Sequence, residues 1–290
     1  MKFDKNTKIL IVGLGLIGGS YAKALSDNGY FVGAIDKKKS SVEYALKNGL
    51  IQVGETSVKK DFVKDFDLIV FALYPHDFIN WIKEYQSSIK SGALITDVTG
   101  VKSFVVENVQ KILRGDLEFV GAHPMAGKEV SGVENADPKI FVGANYIVTP
   151  TKRNTDENVQ AVQDLGRALG FERVSSLSPE VHDETVGFLS HLTHCIAVSL
   201  MVSKKSHHLA EYTGDSFRDL TRIAKINDEM WSELFLANKD ELLKQMDLFE
   251  EKFNQLKEDI KNDNREKIRE TLRESTARRK VFDKDAKETK

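Results

Sequence analysis

Residues 9–20 read Ile-Leu-Ile-Val-Gly-Leu-Gly-Leu-Ile-Gly-Gly-Ser, an apolar run that breaks directly into a glycine-spaced turn. Gly13, Gly15 and Gly18 hold the spacing G-x-G-x-x-G between a predicted strand and a predicted helix. The first glycine permits the tight turn, the second lets backbone approach a pyrophosphate, and the third allows close helix–strand packing. The helix that follows offers free N–H groups and the positive end of its dipole to phosphates. Asp36 closes the next apolar run, eighteen residues past Gly18. A carboxylate there can bind the ribose hydroxyls of NAD and repel a 2′-phosphate. Gly13, Gly15, Leu16, Ile17, Gly18 and Asp36 are therefore the expected cofactor contacts. NAD is favoured over NADP, although Lys37, Lys38 and Lys39 blunt the repulsion.

Outward from this stretch, short β-branched runs alternate with amphipathic segments. Strands are predicted at 9–12, 31–35, 68–73, 93–96, 117–120, 145–148 and 171–174. Helices are predicted at 20–28, 42–47, 77–88, 103–114 and 156–169. This alternation predicts an α/β, Rossmann-like, mostly parallel sheet covered on both faces. After Ser178, a candidate N-cap with Pro179 at the first helical position, only helices are predicted, at 180–201, 217–226 and from 228 onward. Residues 1–178 are thus read as an NAD-binding domain and 179–290 as an all-helical domain for substrate and dimerisation. Leu242, Met246, Phe249, Phe253, Leu256 and Ile260 step by four and three along a long helix. Such a seam packs on its own domain or on a second subunit.

Of the 290 residues, 42 are Lys or Arg and 44 are Asp or Glu, a net charge of −2. Neither a basic excess for nucleic acid nor an acidic solvating tail is present. Cys195 alone excludes an internal disulfide framework. Lys2, Lys5 and Lys8 before the first apolar run, with Ala22-Lys23-Ala24 after it, imitate a secretory signal. The glycines make a better turn than a signal helix, so a cytoplasmic, membrane-free protein is expected. After Asn238 the sequence has a long helix, a turn at Asn262-Asp263-Asn264 and a short helix. A separate amino-acid-binding regulatory domain is not expected there.

Two loops fall at strand carboxyl ends, where ligands bind in open α/β sheets: Tyr74-Pro75-His76 and Asp97-Val98-Thr99-Gly100. Tyr74 and Pro75 join the candidate cofactor contacts. His123 lies in Gly121-Ala122-His123-Pro124-Met125-Ala126-Gly127, past the predicted strand 117–120. His182, His191 and His194 share one predicted helix, and His207-His208 lies in a polar stretch. Metal binding needs three or four convergent ligands, and His191-x-x-His194 alone does not supply them. Arg218, Asp219 and Arg222 occupy about one and a half helical turns. Either they form a surface ion pair, or Asp219 orients Arg222 to grip a substrate carboxylate with its planar fork.

These motifs together resemble the prephenate/arogenate dehydrogenase family of tyrosine biosynthesis. The resemblance runs over nearly the whole chain. It rests on Gly13–Gly18, Asp97 to Lys102, His123-Pro124-Met125-Ala126-Gly127 with Glu129, Ser131 and Gly132, and His182-Asp183. Ser190-His191-Leu192-Thr193-His194 and Asp219-x-Thr221-Arg222-Ile223-Ala224, with Trp231 and Asn238, complete it. The resemblance implies a Rossmann domain, a helical domain that builds a homodimer, and NAD-dependent oxidative decarboxylation of prephenate to 4-hydroxyphenylpyruvate. His123 is the implied catalytic histidine on the ring hydroxyl, and Arg222 the implied carboxylate anchor. His194 is implied to line the substrate pocket, with Glu129, Asp183 and Asp219 as the carboxylates around it. Where the family commonly has serine, this sequence has Gly100, and Thr99 is the candidate to supply a catalytic hydroxyl. Thr193 stands where proline is usual.

The chemistry agrees with these residues independently. Oxidising a cyclohexadienol needs a base near neutral pKa and a nicotinamide over the carbinol carbon. Arogenate is the alternative substrate in the same class. A β-hydroxyacid dehydrogenase would need a glycine-rich stretch before a helical-domain lysine, and Lys204 and Lys205 lack one. A non-catalytic NAD sensor would not need His123 and Arg222 to converge.

Overall fold

The computed structural model describes residues 1–205 and 208–282. His207 lies outside them. Two compact units are present, Met1–Glu241 and Leu242–Lys290.

In the first unit, six strands form a wholly parallel sheet: β1 (Lys8–Val12), β2 (Phe31–Ile35), β3 (Val53–Glu55), β4 (Leu68–Phe71), β5 (Leu94–Asp97) and β6 (Glu118–Phe119). Their order is β3-β2-β1-β4-β5-β6. The order reverses beside β1, so a crevice opens at the carboxyl ends of β1 and β4, where dinucleotides bind in this topology. Successive residues of one strand enter different cores: Ile9 and Ile11 pack with Tyr21 and Leu25, while Leu10 and Val12 pack with Phe71 and Phe78. Both faces are therefore covered, which is why the strands are continuously apolar rather than alternating. The covering helices are α1 (Leu16–Asp27), α2 (Lys39–Lys47), α3 (Lys60–Val63), α4 (Pro75–Tyr85), α5 (Ser103–Ile112) and α6 (Asp156–Ala168). β3 and α3 are too short to show a period, and neither is predicted from sequence. The run 9–17 that imitates a signal is the buried first strand with its turn.

The expected strand 117–120 corrects into two. After β6, the strand β7 (Gly121–Pro124) begins a separate three-stranded sheet with β8 (Asn145–Thr149) and β9 (Arg173–Ser176). β7 is antiparallel to β8, and β8 is parallel to β9. The local cause is a change of partner. Val120 N–H donates to the Ile95 carbonyl at 3.0 Å, but Ala122 N–H donates to the Asp97 side chain at 3.0 Å. The carboxylate replaces the backbone acceptor, and the chain leaves the parallel ladder there. His123 consequently lies on a strand, opposite Ile147, rather than in a turn.

The helical region of this unit comprises α7 (Pro179–Val186), a π-helical segment (Gly187–Leu192), α8 (Thr193–Val202), α9 (Asp215–Thr221) and α10 (Asp228–Ala237). Ser178 caps α7 by accepting from Val181 N–H at 3.3 Å, with Pro179 first in the helix as expected. Pro179–Val202 is long and apolar enough to cross a membrane by composition. It also carries His182, Asp183 and His191, each buried and bonded into the fold. Those polar anchors mark it as a helix that builds a site.

The second unit consists of most of α11 (Lys239–Lys261) and α12 (Arg265–Arg279). Asn264 Nδ2 donates to the buried Asp259 carboxylate at 3.1 Å, fixing the turn between the two helices. The apolar seam is largely exposed in the single chain: Phe253 and Ile260 are each 59% accessible.

Candidate active site

The glycine loop has the strain its spacing demands. Gly13 has φ +100°, and a Cβ there would meet the Ala72 carbonyl oxygen at 2.4 Å. At Gly18 a Cβ would lie 2.0 Å from the Gly13 carbonyl oxygen, so the turn closes only with glycine. Gly15 faces open space, the side from which a pyrophosphate would approach. No side chain caps α1, leaving its first N–H groups free for that ligand. Asp36 is held in place by two backbone donors, Leu14 N–H at 2.6 Å and Lys38 N–H at 2.7 Å. These features fit the dinucleotide expected from sequence. Leu16 and Ile17 open α1, while Pro75 begins α4 and Tyr74 precedes it.

The loop after β5 is organised by a buried ion pair. Lys102 Nζ lies 2.6 Å from Asp97 Oδ2, both side chains fully removed from solvent. Burial lowers the Lys102 pKa, and the Asp97 charge opposes that shift. Thr99 belongs to this pair: its hydroxyl bonds Asp97 and receives Lys102 Nζ at 3.1 Å. The hydroxyl expected from sequence to be catalytic is thus turned into the ion pair, and Thr99 is 4% exposed. Gly100 is the residue that lies against His123, a Cβ there falling 3.8 Å from His123 Cε1.

Asp183 joins the loop to the helical region. Its carboxylate accepts Lys102 N–H and Ser103 N–H, each at 2.8 Å, and so caps α5 from a distant helix. Negative charge at those free N–H groups is favourable. The same carboxylate lies 2.8 Å from His182 Nδ1, and His182 Nε2 lies 2.9 Å from His123 Nδ1. At 2% exposure, Asp183 spends its carboxylate on these protein partners. Burial lowers the pKa of His123 well below the usual histidine value, and the neighbouring His182 and Lys102 act in the same direction. For His182 burial again leads, against the pull of Asp183. His191, also buried, is pushed down to about 4. Asn238 Nδ2 bonds the Asp183 carbonyl at 2.9 Å and approaches His191 Nδ1 at 3.3 Å.

A second group of residues surrounds Arg222. Its guanidinium pairs with the Glu129 carboxylate, and both are substantially exposed. His194 stacks on Trp231 with ring centroids 3.7 Å apart. His194 Nδ1 donates to the Ser190 carbonyl at 2.8 Å, which leaves Nε2 as an acceptor. Burial lowers its pKa, with the Arg222 charge acting in the same direction. Asp219 is exposed and forms no ion pair with Arg222, so the expected orienting carboxylate corrects from Asp219 to Glu129. Arg218 donates to the Thr213 carbonyl at 2.7 Å.

Sequence alone assigns no role to His182, Lys102 or the pair His76–Glu233. Glu233 Oε1 accepts His76 N–H at 2.6 Å, tying the start of α4 to α10. His182 and His191 are nine residues apart, nearly opposite on an ideal α-helix. The π-helical segment, which begins after His182 and contains His191, breaks that period, and both side chains are buried. Among the described residues, no three His, Cys, Asp or Glu side chains could jointly hold a metal ion.

Residues 21–173 match the family model for the prephenate dehydrogenase nucleotide-binding domain, and residues 178–274 that for its dimerization domain. The prephenate dehydrogenase of Bacillus subtilis is 34% identical over 82% of this chain and 66% of its own length. That of Lactococcus lactis is 32% identical over 86% of this chain and 70% of its own. The crystal structure of Aquifex aeolicus prephenate dehydrogenase with hydroxyphenyl propionate and NAD+ superposes with a TM-score of 0.87 at 34% identity, covering 96% of this chain and 98% of that one.

Proposed function

Since the chain belongs to the prephenate dehydrogenase family, we propose that it oxidises and decarboxylates prephenate to 4-hydroxyphenylpyruvate with NAD, in tyrosine biosynthesis. The observation that carries this reading is a convergence. His123 and Glu129 follow one another on the segment after β6, and they meet His182 and Arg222 from the helical region. A base and a permanent cation are thereby brought toward the edge of the sheet where the glycine loop lies.

His123, kept neutral by burial, takes the proton of the substrate's ring hydroxyl. Arg222 releases Glu129 and grips a substrate carboxylate through two N–H donors. Trp231 and His194 present an aromatic wall and one acceptor nitrogen. NAD, when bound at Gly13–Gly18 and Asp36, supplies the acceptor for the hydride that leaves the carbinol carbon. Loss of the ring carboxylate as CO₂ gives an aromatic product, so the protein has chiefly to orient its substrate and accept one proton. Glu129 and Arg222 work as a pair in this reading, while Asp97, Lys102 and Asp183 hold the loop beside His123.

In this reading the nucleotide-binding region ends near Ser178, which the ranges of the two family matches support. The exposed seam on α11 is the face expected to meet the second subunit of a homodimer, and the cytoplasm is the expected compartment.

Purified protein mixed with prephenate and NAD should develop reduced-nicotinamide absorbance and 4-hydroxyphenylpyruvate in equal amounts. Parallel arms with arogenate and with NADP assign the substrate and cofactor preference. No turnover with either cyclohexadienol overturns the reading.

A further inference from the structure

The contacts of Asp183, His182 and His123 settle which nitrogen of His123 is the base, a question that the overall reaction leaves open. The chain of contacts begins at Asp183. Its carboxylate is held below the usual range by the His182 bond and by the Lys102 and Ser103 amides, against burial, so it is ionised and can only accept. His182 Nδ1, at 2.8 Å, is therefore the donor of that bond. A neutral imidazole has one N–H, so His182 Nε2 carries a bare lone pair. His123 Nδ1, 2.9 Å away, must then be the donor to it. The proton of neutral His123 is thereby placed on Nδ1, and Nε2 is the free acceptor.

We infer that His182 is a positioning residue for the oxidation, relaying the Asp183 carboxylate to His123 so that His123 Nε2 is the base. The inference rests on His123 acting as proposed above, and it adds the identity of the atom and of the group that selects it. His182 itself is fully buried, so it acts through His123. When Nε2 takes the hydroxyl proton, both nitrogens of His123 are protonated. Nδ1–H keeps its bond to His182 Nε2, and the new positive charge faces an array whose far end is the Asp183 carboxylate. No proton needs to travel along the array. The same array without Asp183 and His182 would leave His123 free to populate the tautomer with its proton on Nε2, which cannot act as a base.

The test combines a tautomer measurement with kinetics. In protein labelled with ¹⁵N-histidine, without substrate or NAD, His123 is expected to show a protonated Nδ1 and an unprotonated Nε2. A protonated Nε2 on neutral His123 would overturn the inference whatever the enzyme's activity. His182→Leu should lower kcat on the order of 100-fold, with KM for prephenate and for NAD within about three-fold of wild type. In that variant the His123 tautomer should shift toward Nε2–H. His182→Gln keeps a carbonyl to accept from His123 and an amide to donate to Asp183, so it should recover part of the lost kcat. Turnover of His182→Leu within about three-fold of wild type would also overturn the inference. If His182→Leu does not fold, the wild-type tautomer and the His182→Gln kinetics still decide. If His182 only packs, Gln should do no better than Leu. Absence of turnover in wild type, with the tautomer as stated, would count against the proposed reaction and not against the placement of the proton.

Discussion

The Lys102 ammonium lies 2.6 Å from the Asp97 carboxylate, with neither side chain exposed to solvent. Removing one member of such a pair leaves an uncompensated buried charge. Lys102→Met should therefore destabilise the protein by about 3–5 kcal/mol. Denaturant unfolding of the two proteins measures this directly. A loss under about 1 kcal/mol would mean that water reaches Asp97 in the variant and that the loop is not held by the pair.

His191 makes stability depend on acid. Its pKa falls from near 6.5 in the unfolded chain to about 4 in the fold. The unfolded state thus takes up the proton first, and stability is full above about pH 6.5 and declines as pH falls toward 4. A shift of this size corresponds to roughly 3 kcal/mol. His191→Gln should flatten the part of the pH–stability curve between those limits. An unchanged slope would show that other groups carry the acid sensitivity.

Arg222 is placed to test how the substrate is held. Arg222→Lys keeps the charge and loses the planar fork, so kcat/KM for prephenate should fall by about thirty-fold to several-hundred-fold, about 2–4 kcal/mol. NAD affinity should barely change. Arg218→Lys and Asp219→Asn serve as controls, since Arg218 bonds only local groups and Asp219 makes no ion pair with Arg222. Equal effects at Arg222 and Arg218 would assign the anchor elsewhere.

Asp36, fixed by two backbone amides, should decide the cofactor. Asp36→Ser removes the repelling charge while Lys37, Lys38 and Lys39 stay, so relative activity with NADP should rise. A wild-type enzyme that already prefers NADP would contradict the ribose assignment.

The parallel sheet was legible because its strands are buried on both faces and its helices carry a clear apolar stripe. Phe31–Ile35 coincides with its predicted span, and Gly13–Gly18 sits at the switch point as its spacing implies. The division of 117–120 was not legible, because it follows from Asp97 accepting Ala122 N–H across a distance in sequence of twenty-five residues. Local propensity carries no record of such a partner. The same holds in the site. Arg222 and His123 stand out by residue type and motif, whereas the choice of Glu129 over Asp219, and of His182 as the neighbour of His123, depends on how the helical region meets β7. Asp219 is the nearer carboxylate in sequence, and the helical spacing suggested it. The π segment, which begins after His182 and contains His191, breaks the 3.6-residue period on which any helical-wheel reading relies.

The central claim is that His123 is the base of a prephenate oxidation. The direct measurement is kcat and NAD dissociation constant for wild type and His123→Asn, with the pH dependence of kcat/KM for the wild type. Since burial holds the His123 pKa well below its usual value, the acid limb of kcat/KM should lie well below pH 6.5. His123→Asn should lower kcat by roughly 100- to 10,000-fold while NAD binds as before. Turnover of His123→Asn close to that of the wild type would contradict the account.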